Sequence, residues 1–313
     1  MELRSERYRK KRRKKWLKII GIIFLLLIIA LGAYAYSIYK SLTDAVDSMH
    51  QPLDRERSEK RSDDINFGKR DPFSVLLLGV DERQGDKGRS DTMIVLTVNP
   101  KKESIKMLSI PRDTRTEIGG RGTVDKINHA YAFGGEKMAI DSVENFLDIP
   151  IDHYGRINME GFKDLVDAVG GITVQNDFEF KQDGYTFQKG LIYLDGDKAL
   201  SYVRMRKADP RGDFGRQERQ RKVIQGVINK GLSISSITRF DNILDALGSN
   251  VRTDLTFSEM MDIQKNYRAA TRNIEQMEIS GKGQMINGIY YYIVSDAEKQ
   301  RIQNELKEHL EII

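Results

Sequence analysis

The chain has 313 residues, four histidines, no cysteine and a formal net charge of +5 at pH 7. Residues 1–18 contain ten Lys or Arg and two Asp or Glu, which leaves 41 basic and 44 acidic residues, a net charge of −3, in the rest of the chain. This balance argues against nucleic acid as a partner of the folded part. The lack of cysteine excludes a disulfide framework, and the scattered histidines lack the spacing of zinc ligands.

An uncharged segment of 21 residues, Ile19 to Tyr39, follows the basic tail. As a helix it would be roughly 30 Å long, which is the hydrocarbon thickness of a bilayer. The basic residues before it predict a single-pass cell-membrane anchor at 19–39, with residues 1–18 in the cytoplasm and the rest of the chain outside. A cleaved signal peptide is the alternative, because Ala33-Tyr34-Ala35 resembles a small-x-small cleavage site.

Residues 40–70 are rich in charge and poor in large apolar side chains, which predicts a stalk before a folded domain at 71–313. Three apolar runs open that domain and predict strands at Phe73–Val80, Met93–Val98 and Ser104–Ile110. The turn residues Asn99-Pro100 between the second and third runs indicate a hairpin.

The rest of the domain mixes helical and strand patterns. Helices are predicted at 136–147, 159–169, 190–203, 216–230, 237–247, 258–271 and 296–312, and strands at 154–158, 172–175, 276–280 and 289–293. The glycine-rich segment 119–122 is predicted to be a turn. This order predicts an α/β domain with a central mixed β-sheet and helices on both faces, an α-β-α sandwich preceded by one transmembrane helix.

The first three strands gather charged residues if they form an antiparallel meander. Asp81 and Asp91 then lie at one edge of the sheet, and the third strand brings Arg112 and Arg115 to the same edge. Two carboxylates near a phosphate substrate suit Mg²⁺, which prefers hard oxygen ligands. The alternative is that both carboxylates cap turns and form ion pairs with these arginines.

A basic run lies between Arg204 and Lys222, with eight basic and three acidic residues. Within it, Asp213 stands at the position of a helix N-cap, ahead of Arg216. Guanidinium groups beside a helix N-terminus suit a phosphate or pyrophosphate ligand, because both supply donors to oxyanions. The alternative is a solvated basic face.

Several motifs in the chain resemble one known family. They are Leu76-Leu77-Leu78-Gly79-Val80-Asp81, Arg89-Ser90-Asp91-Thr92, Pro111-Arg112-Asp113-Thr114, Lys126-Ile127-Asn128-His129-Ala130-Tyr131, Leu194-Asp195-Gly196-Asp197 and Arg216-Gln217-Glu218-Arg219. In this order they resemble the LytR-CpsA-Psr family of wall-polymer transferases, and within it the Bacillus-type teichoic acid transferases.

The resemblance implies a phosphotransferase that moves an anionic glycopolymer, here wall teichoic acid, from an undecaprenyl pyrophosphate carrier to the C6 hydroxyl of N-acetylmuramic acid in peptidoglycan. It implies that Asp81 and Asp91 bind Mg²⁺, and that Asp91 has a catalytic role together with Arg112, Arg204 and Arg219. The residues implied to hold the pyrophosphate are Arg89, Arg112, Arg115, Arg204, Arg206, Arg216, Gln217 and Arg219.

Two other functions remain open at this point. The same arginines would serve a lipid-pyrophosphate hydrolase that uses water as the acceptor, and the basic tail would serve a membrane-anchored regulator. The proton acceptor is Asp91, Asp113 or a metal-held group.

An apolar groove is also expected for the polyprenyl chain. Its predicted walls are Leu76, Leu78, Val95 or Leu108 of the sheet opposite Val223, Val227 or Ile228, with ordinary core packing as the alternative.

Overall fold

The structure is a computed structural model that describes residues 2–82, 88–233 and 247–312. The chain divides into two compact units, Met1–Asp44 and Ala45–Ile313. The first unit is the N-terminal part of a helix, α1, at Glu2–Met49. Within the described ranges, one stretch of this helix, inside Lys15–Met49, is long and apolar enough to cross a membrane. This helix is therefore a candidate membrane anchor.

The second unit begins within the last turns of α1, where Val46 and Met49 are buried. Part of the segment predicted as a stalk packs into this unit. Arg55 forms an ion pair with Glu144 at 2.9 Å, and Arg61 does so with Asp152 at 2.7 Å. Both carboxylates are almost fully buried. Some of the charged residues of the segment thus form specific ion pairs with the folded unit.

The described part of the second unit is built from short strands and six further helices. The strands are β1 (Phe73–Val80), β2 (Ser90–Asn99), β3 (Ser104–Ser109), β4 (Arg115–Ile118), β5 (Thr123–Lys126), β6 (His153–Ile157), β7 (Ile172–Asn176), β8 (Phe180–Gln182), β9 (Tyr185–Phe187), β10 (Gly190–Leu194), β11 (Val251–Thr253), β12 (Asn273–Met277), β13 (Lys282–Ile286) and β14 (Ile289–Ile293). The helices are α2 (His129–Leu147), α3 (Met159–Ala168), α4 (Gly196–Arg204), α5 (Asp213–Ser233), α6 (Phe257–Asn266) and α7 (Asp296–Leu310).

A mixed six-stranded sheet with the order β11-β6-β1-β2-β3-β12 lies at the centre. Strands β1, β2 and β3 form the predicted antiparallel meander, whereas β6 is parallel to β1 and β12 is parallel to β3. Two-stranded ribbons form from β4 and β5, β7 and β10, β8 and β9, and β13 and β14. The central mixed sheet of the prediction is confirmed.

Helices cover both faces of this sheet, as predicted. On one face Leu76 and Val95 are fully buried against α2 and α7. On the other face Ile94 and Leu96 pack with Ile224 of α5. Successive residues of a strand point to opposite faces, so the continuous apolar runs follow from burial on both sides.

The prediction of the lipid groove is wrong, because the residues expected to form its two walls do not face each other. Leu76, Leu78, Val95 and Leu108 belong to the face that packs on α2 and α7, whereas Ile228 of α5 packs on the other face. Val223 and Val227 belong to a third cluster, formed by α3, α4, α5 and the β7–β10 ribbon.

Two local predictions also need correction. The segment predicted as a helix at 190–203 begins as strand β10, in which Leu194 pairs with Ile172, and the helix starts only at Gly196. Asp195 ends the strand because its side chain accepts a hydrogen bond from the Lys198 backbone and caps α4. Strand β12 lies earlier than the predicted 276–280, since pairing with β3 fixes its register. The helix predicted at 237–247 falls almost entirely outside the described residues.

Candidate functional site

The backbones of the two acidic residues predicted to lie together, Asp81 and Asp91, meet at one edge of the sheet. Asp81 follows β1 directly, and Asp91 is the second residue of β2. The backbone N–H groups of both residues donate to the carbonyl oxygen of Arg89, at 3.3 and 3.1 Å respectively. This shared acceptor fixes the two chain segments side by side, with Arg89 between them at the surface.

Arg112 reaches the same edge from the turn after β3. Its Nη1 donates to Asp91 Oδ1 at 2.8 Å, and its Nε lies 3.8 Å from Asp113 Oδ2. Lys126 Nζ donates to the other oxygen of Asp113 at 2.7 Å. Burial alone would lower the pKa of Arg112, but the hydrogen bond and charge of Asp91, with the charges of Asp213 and Asp113, raise it. The guanidinium is therefore held charged beside two carboxylates.

Helix α5 brings further donors to this edge. Gln220 of α5 donates to Thr92 Oγ1 of β2 at 2.8 Å, which ties the helix to the strand that carries Asp91. Arg216 Nη2 lies 2.7 Å from Asp213 Oδ1, and Gln217 donates to Asp213 Oδ2 at 3.1 Å. The N-terminal turn of α5 thus holds an arginine and an amide close to its own first residue.

Arg216 lies in a region with an excess of positive charge. Burial is the main cause that lowers the pKa of Arg216, and the charges of Arg112 and Arg206 lower it further against the attraction of Asp213 and Asp91. Its Nε is buried without a hydrogen-bond partner among the described residues. An added anion nearby would offset the excess of positive charge around Arg216.

A cavity of about 550 Å³ lies beside these residues. Four basic and two acidic side chains line it, together with three aromatic rings. The lining residues are Pro111, Arg112, Asp113, Lys126, Arg206, Arg211, Gly212, Asp213, Phe214, Gln217, Tyr290 and Tyr292. The arrangement suits an anionic ligand that also has an apolar part.

The structure brings together only some of the predicted pyrophosphate ligands. Arg112, Arg206 and Gln217 line the cavity, and Arg216 adjoins them. Arg115 lies on β4, with its guanidinium 5.9 Å from the ring of Tyr291, and Arg204 is exposed and contacts Met159. Neither of these two lines the cavity.

Arg219 has a different environment from the other predicted ligands. Its side chain is buried and donates to Asp209 and to the backbone carbonyl of Met205. It therefore ties the turn after α4 to α5 and does not line the cavity. Helical geometry explains the difference, because Arg219 and Gln217 project from different sides of α5.

The sequence did not identify several of the cavity residues as ligands. Lys126 and Arg211 lie in segments that had been noted, a family motif and the basic run, so a signal existed for both. There was no such signal for Phe214, Tyr290 and Tyr292, because aromatic residues in a strand or helix are usually core residues.

The donor set fits Mg²⁺ only together with a substrate. Within the described ranges, no three Asp, Glu, His or Cys side chains are grouped so as to hold a metal ion. Mg²⁺ requires only one or two carboxylates when phosphate oxygens and water complete its shell. Asp81 and Asp91 are such a pair, so these residues fit Mg²⁺ bound with a phosphate ligand.

Comparisons with known proteins identify one family. The profile of the LytR_cpsA_psr family matches residues 36–308. A protein of Halalkalibacterium halodurans named polyisoprenyl-teichoic acid--peptidoglycan teichoic acid transferase TagU is 57% identical over 302 residues, which cover 96% of this chain and 99% of that protein.

Two solved structures are also similar. The crystal structure of Bacillus subtilis TagU has a TM-score of 0.64 and 54% identity, and the match covers 77% of this chain and 97% of that one. A structure described as TagT bound to LI-WTA has a TM-score of 0.72 and 34% identity, with coverage of 84% and 100%.

Proposed function

The chain belongs to the LytR_cpsA_psr family, and we propose that it attaches wall teichoic acid to peptidoglycan. Its relatives named as transferases are more than 50% identical to it over nearly the whole chain, and the chain is a glycopolymer transferase of wall biogenesis. The proposed donor is the polymer on undecaprenyl pyrophosphate, and the proposed acceptor is the C6 hydroxyl of N-acetylmuramic acid.

The excess of guanidinium groups around the cavity is the observation that supports this donor best. The cavity lining contains four basic side chains, those of Arg112, Lys126, Arg206 and Arg211, and two acidic ones, those of Asp113 and Asp213. A pyrophosphate would supply the missing negative charge and several acceptor oxygens.

The reaction needs no ATP, because the pyrophosphate is already activated. The acceptor oxygen forms a bond to the phosphorus that carries the polymer, and the bridging P–O bond breaks. Undecaprenyl phosphate leaves, and the hydroxyl proton passes to a base. Such a transfer depends mainly on positioning and on neutralising the charge of the oxygens around phosphorus.

The chain's own residues would divide these tasks. Arg112, Arg206, Arg216 and Gln217 would orient the pyrophosphate and offset its charge. We assign proton acceptance to Asp91, which lies at the sheet edge in contact with Arg112. Asp113 is instead held between Lys126 and Arg112, which suits a role in orienting them.

Two implied groups complete the proposal. Asp81 and Asp91 would hold Mg²⁺, which supplies Lewis-acid stabilisation of the phosphate oxygens when bound. The polyprenyl chain would lie on the sheet face towards α5, where Val75, Leu77, Ile224 and Ile228 are only partly buried. Helix α1 would anchor the protein in the membrane that holds this lipid, with the second unit on the outer side.

Reconstituted transfer tests the proposal and separates it from hydrolysis. The full chain in phospholipid vesicles would receive a labelled polyprenyl-pyrophosphate glycan and uncrosslinked peptidoglycan strands. We expect label linked to peptidoglycan through a phosphodiester. Free glycan phosphate without any linked product would instead assign the chain as a lipid-pyrophosphate hydrolase.

The same assay tests the metal site. Removal of Mg²⁺ with a chelator should abolish transfer but leave part of the donor binding, because the arginines remain. Asp81→Ala and Asp91→Ala should reproduce this loss. Transfer at the wild-type rate in both variants, with unchanged sensitivity to the chelator, would place the metal elsewhere.

A further inference from the structure

The hairpin of β13 and β14 supplies two aromatic residues to the cavity, and only one of them is explained by the core. Tyr292 is buried, its hydroxyl donates to the Ile279 carbonyl at 3.0 Å, and its ring lies 5.5 Å from that of Phe214. Tyr290 also lines the cavity, but it is 46% exposed. Its hydroxyl makes no hydrogen bond to any residue of the described part. The position of Tyr290 therefore needs another reason.

The ring of Tyr290 packs over a glycine on the neighbouring strand. A β-carbon on Gly283 would lie 2.7 Å from both Cε2 and the hydroxyl oxygen of Tyr290. The ring thus occupies the space that a side chain at position 283 would need. One side of the ring packs on β13, and the exposed part of the side chain lines the cavity.

The hairpin is also fixed relative to the phosphate-binding residues. The backbone N–H of Tyr292 donates to the Asp113 carbonyl at 2.8 Å, and Tyr292 forms a bridge with Thr114. Asp113 and Thr114 directly follow Arg112 in the chain. Tyr290 is therefore placed at a defined position beside the basic part of the cavity.

We infer that Tyr290 is a stacking platform for a pyranose ring of the glycan next to the reacting phosphate. An aromatic face carries partial negative charge and attracts the polarised C–H groups on the face of a sugar. A phosphate group has no C–H face and would gain nothing from this contact. This assignment rests on the proposed function, and the sugar belongs to the polymer's first residues or to the peptidoglycan strand.

Binding measurements on the full chain in vesicles test this assignment without requiring turnover. The ligands are a short-chain polyprenyl-pyrophosphate disaccharide, uncrosslinked peptidoglycan strands and farnesyl pyrophosphate, which has no sugar. Tyr290→Ala should raise the Kd of one sugar-bearing ligand about fivefold to tenfold and leave farnesyl pyrophosphate unchanged. Tyr290→Phe should bind like the wild type, because it keeps the ring.

Two further variants separate stacking from a structural role. Gly283→Ala should displace the ring and produce the same selective loss as Tyr290→Ala. Tyr193→Ala is the matched control, since Tyr193 is 57% exposed on β10 and likewise lies over a glycine, Gly171, away from the cavity. It should bind all three ligands normally.

The outcomes distinguish this inference from the proposed function. A selective loss for the disaccharide assigns the subsite to the donor, and one for the strands assigns it to the acceptor. Unchanged Kd values for both sugar-bearing ligands, or an equal loss for farnesyl pyrophosphate, would overturn the inference. Wild-type protein that binds these ligands but never links them would overturn the proposed function instead.

Discussion

Helix α5 carries two kinds of arginine within two turns. Arg216 lies near Arg112 and Arg206, which line the cavity, and its Nε lacks a partner among the described residues. Arg219 and Arg221 are buried and bound to several acceptors, although the Nε of Arg219, like that of Arg216, lacks a partner among the described residues. Arg219 binds Asp209 and the Met205 carbonyl, and Arg221 binds Ser109, Gln276 and Glu278.

The difference predicts that the neighbours of an arginine, and not its place in a basic run, determine its role. A guanidinium with enough acceptors around it is part of the structure, and removing it leaves a buried acceptor unpaired. A guanidinium among other cations is available to a ligand. The three predictions below test this contrast, from the largest expected effect to the smallest.

Arg219→Ala should cause the largest loss of stability. The Asp209 side chain is fully buried and would lose its closest counter-charge, since Arg211 Nε lies 3.7 Å away. We expect the free energy of unfolding to fall by about 3–5 kcal/mol. Urea unfolding measures this change. The exposed Arg204→Ala is the control and should unfold like the wild type. Wild-type stability in Arg219→Ala would show that the buried pair is not structural.

Arg112→Ala should affect function and leave the fold intact. Loss of a guanidinium bound to phosphate removes about 1.5–3 kcal/mol, which lowers the transfer rate about 10-fold to 150-fold. Its ion pair with Asp91 is partly exposed, so stability should change by less than about 1 kcal/mol. Single-turnover transfer and thermal unfolding measure the two effects.

Arg112→Lys should recover only part of the transfer rate, because an ammonium group cannot form the paired contacts of a guanidinium. A fold that is lost together with activity in Arg112→Ala would place Arg112 in the same class as Arg219.

Two histidines, His309, which is buried, and His153, which is mostly buried, show a similar contrast with a smaller expected effect. Burial would lower the pKa of His153, but the hydrogen bond from its ring to Asp254 raises it. The ring of His309 is hydrogen-bonded to the hydroxyls of Thr97 and Ser104, and burial, with the charges of Lys106 and Lys102, lowers its pKa to about 4. The two pKa values shift in opposite directions because the ring of His153 has a carboxylate partner and that of His309 is hydrogen-bonded to hydroxyls.

The lowered pKa of His309 predicts a loss of stability in mild acid. The unfolded chain takes up a proton near pH 6.5 and the folded chain only near pH 4, so this contribution is complete above pH 6.5 and is lost as the pH falls. At pH 6 the loss should be about 0.8 kcal/mol. Urea unfolding at pH 7.5 and pH 6 measures it against His309→Gln. An equal pH dependence in that variant would contradict the assignment.

Much of the fold was open to prediction because apolar runs and turn residues define β1, β2 and β3 directly. Their meander was enough to place Asp81, Asp91 and Arg112 at one edge. The roles of individual arginines could not be predicted from the sequence, since Arg216 and Arg219 differ only in contacts that depend on the fold. Strand β10 was missed because its few apolar residues also fit a helix that continues into α4.

The aromatic wall of the cavity was beyond prediction for a physical reason. Tyr290 is placed by Gly283, which is a neighbour only through the register of β13 and β14. The hairpin in turn meets Asp113 and Thr114 from a distant part of the chain. Pairings of this kind depend on tertiary contacts and leave no periodic pattern in the sequence.

The hydrogen bond between Tyr292 and Asp113 also has a consequence for how the protein is made. Synthesis proceeds from the N-terminus, so the nascent chain contains every residue of the basic run long before β14 emerges. Until that last strand docks, the cavity has its charges and lacks a wall. A chain truncated before β14 would therefore keep its arginines but lack Tyr290 and Tyr292 in the cavity lining.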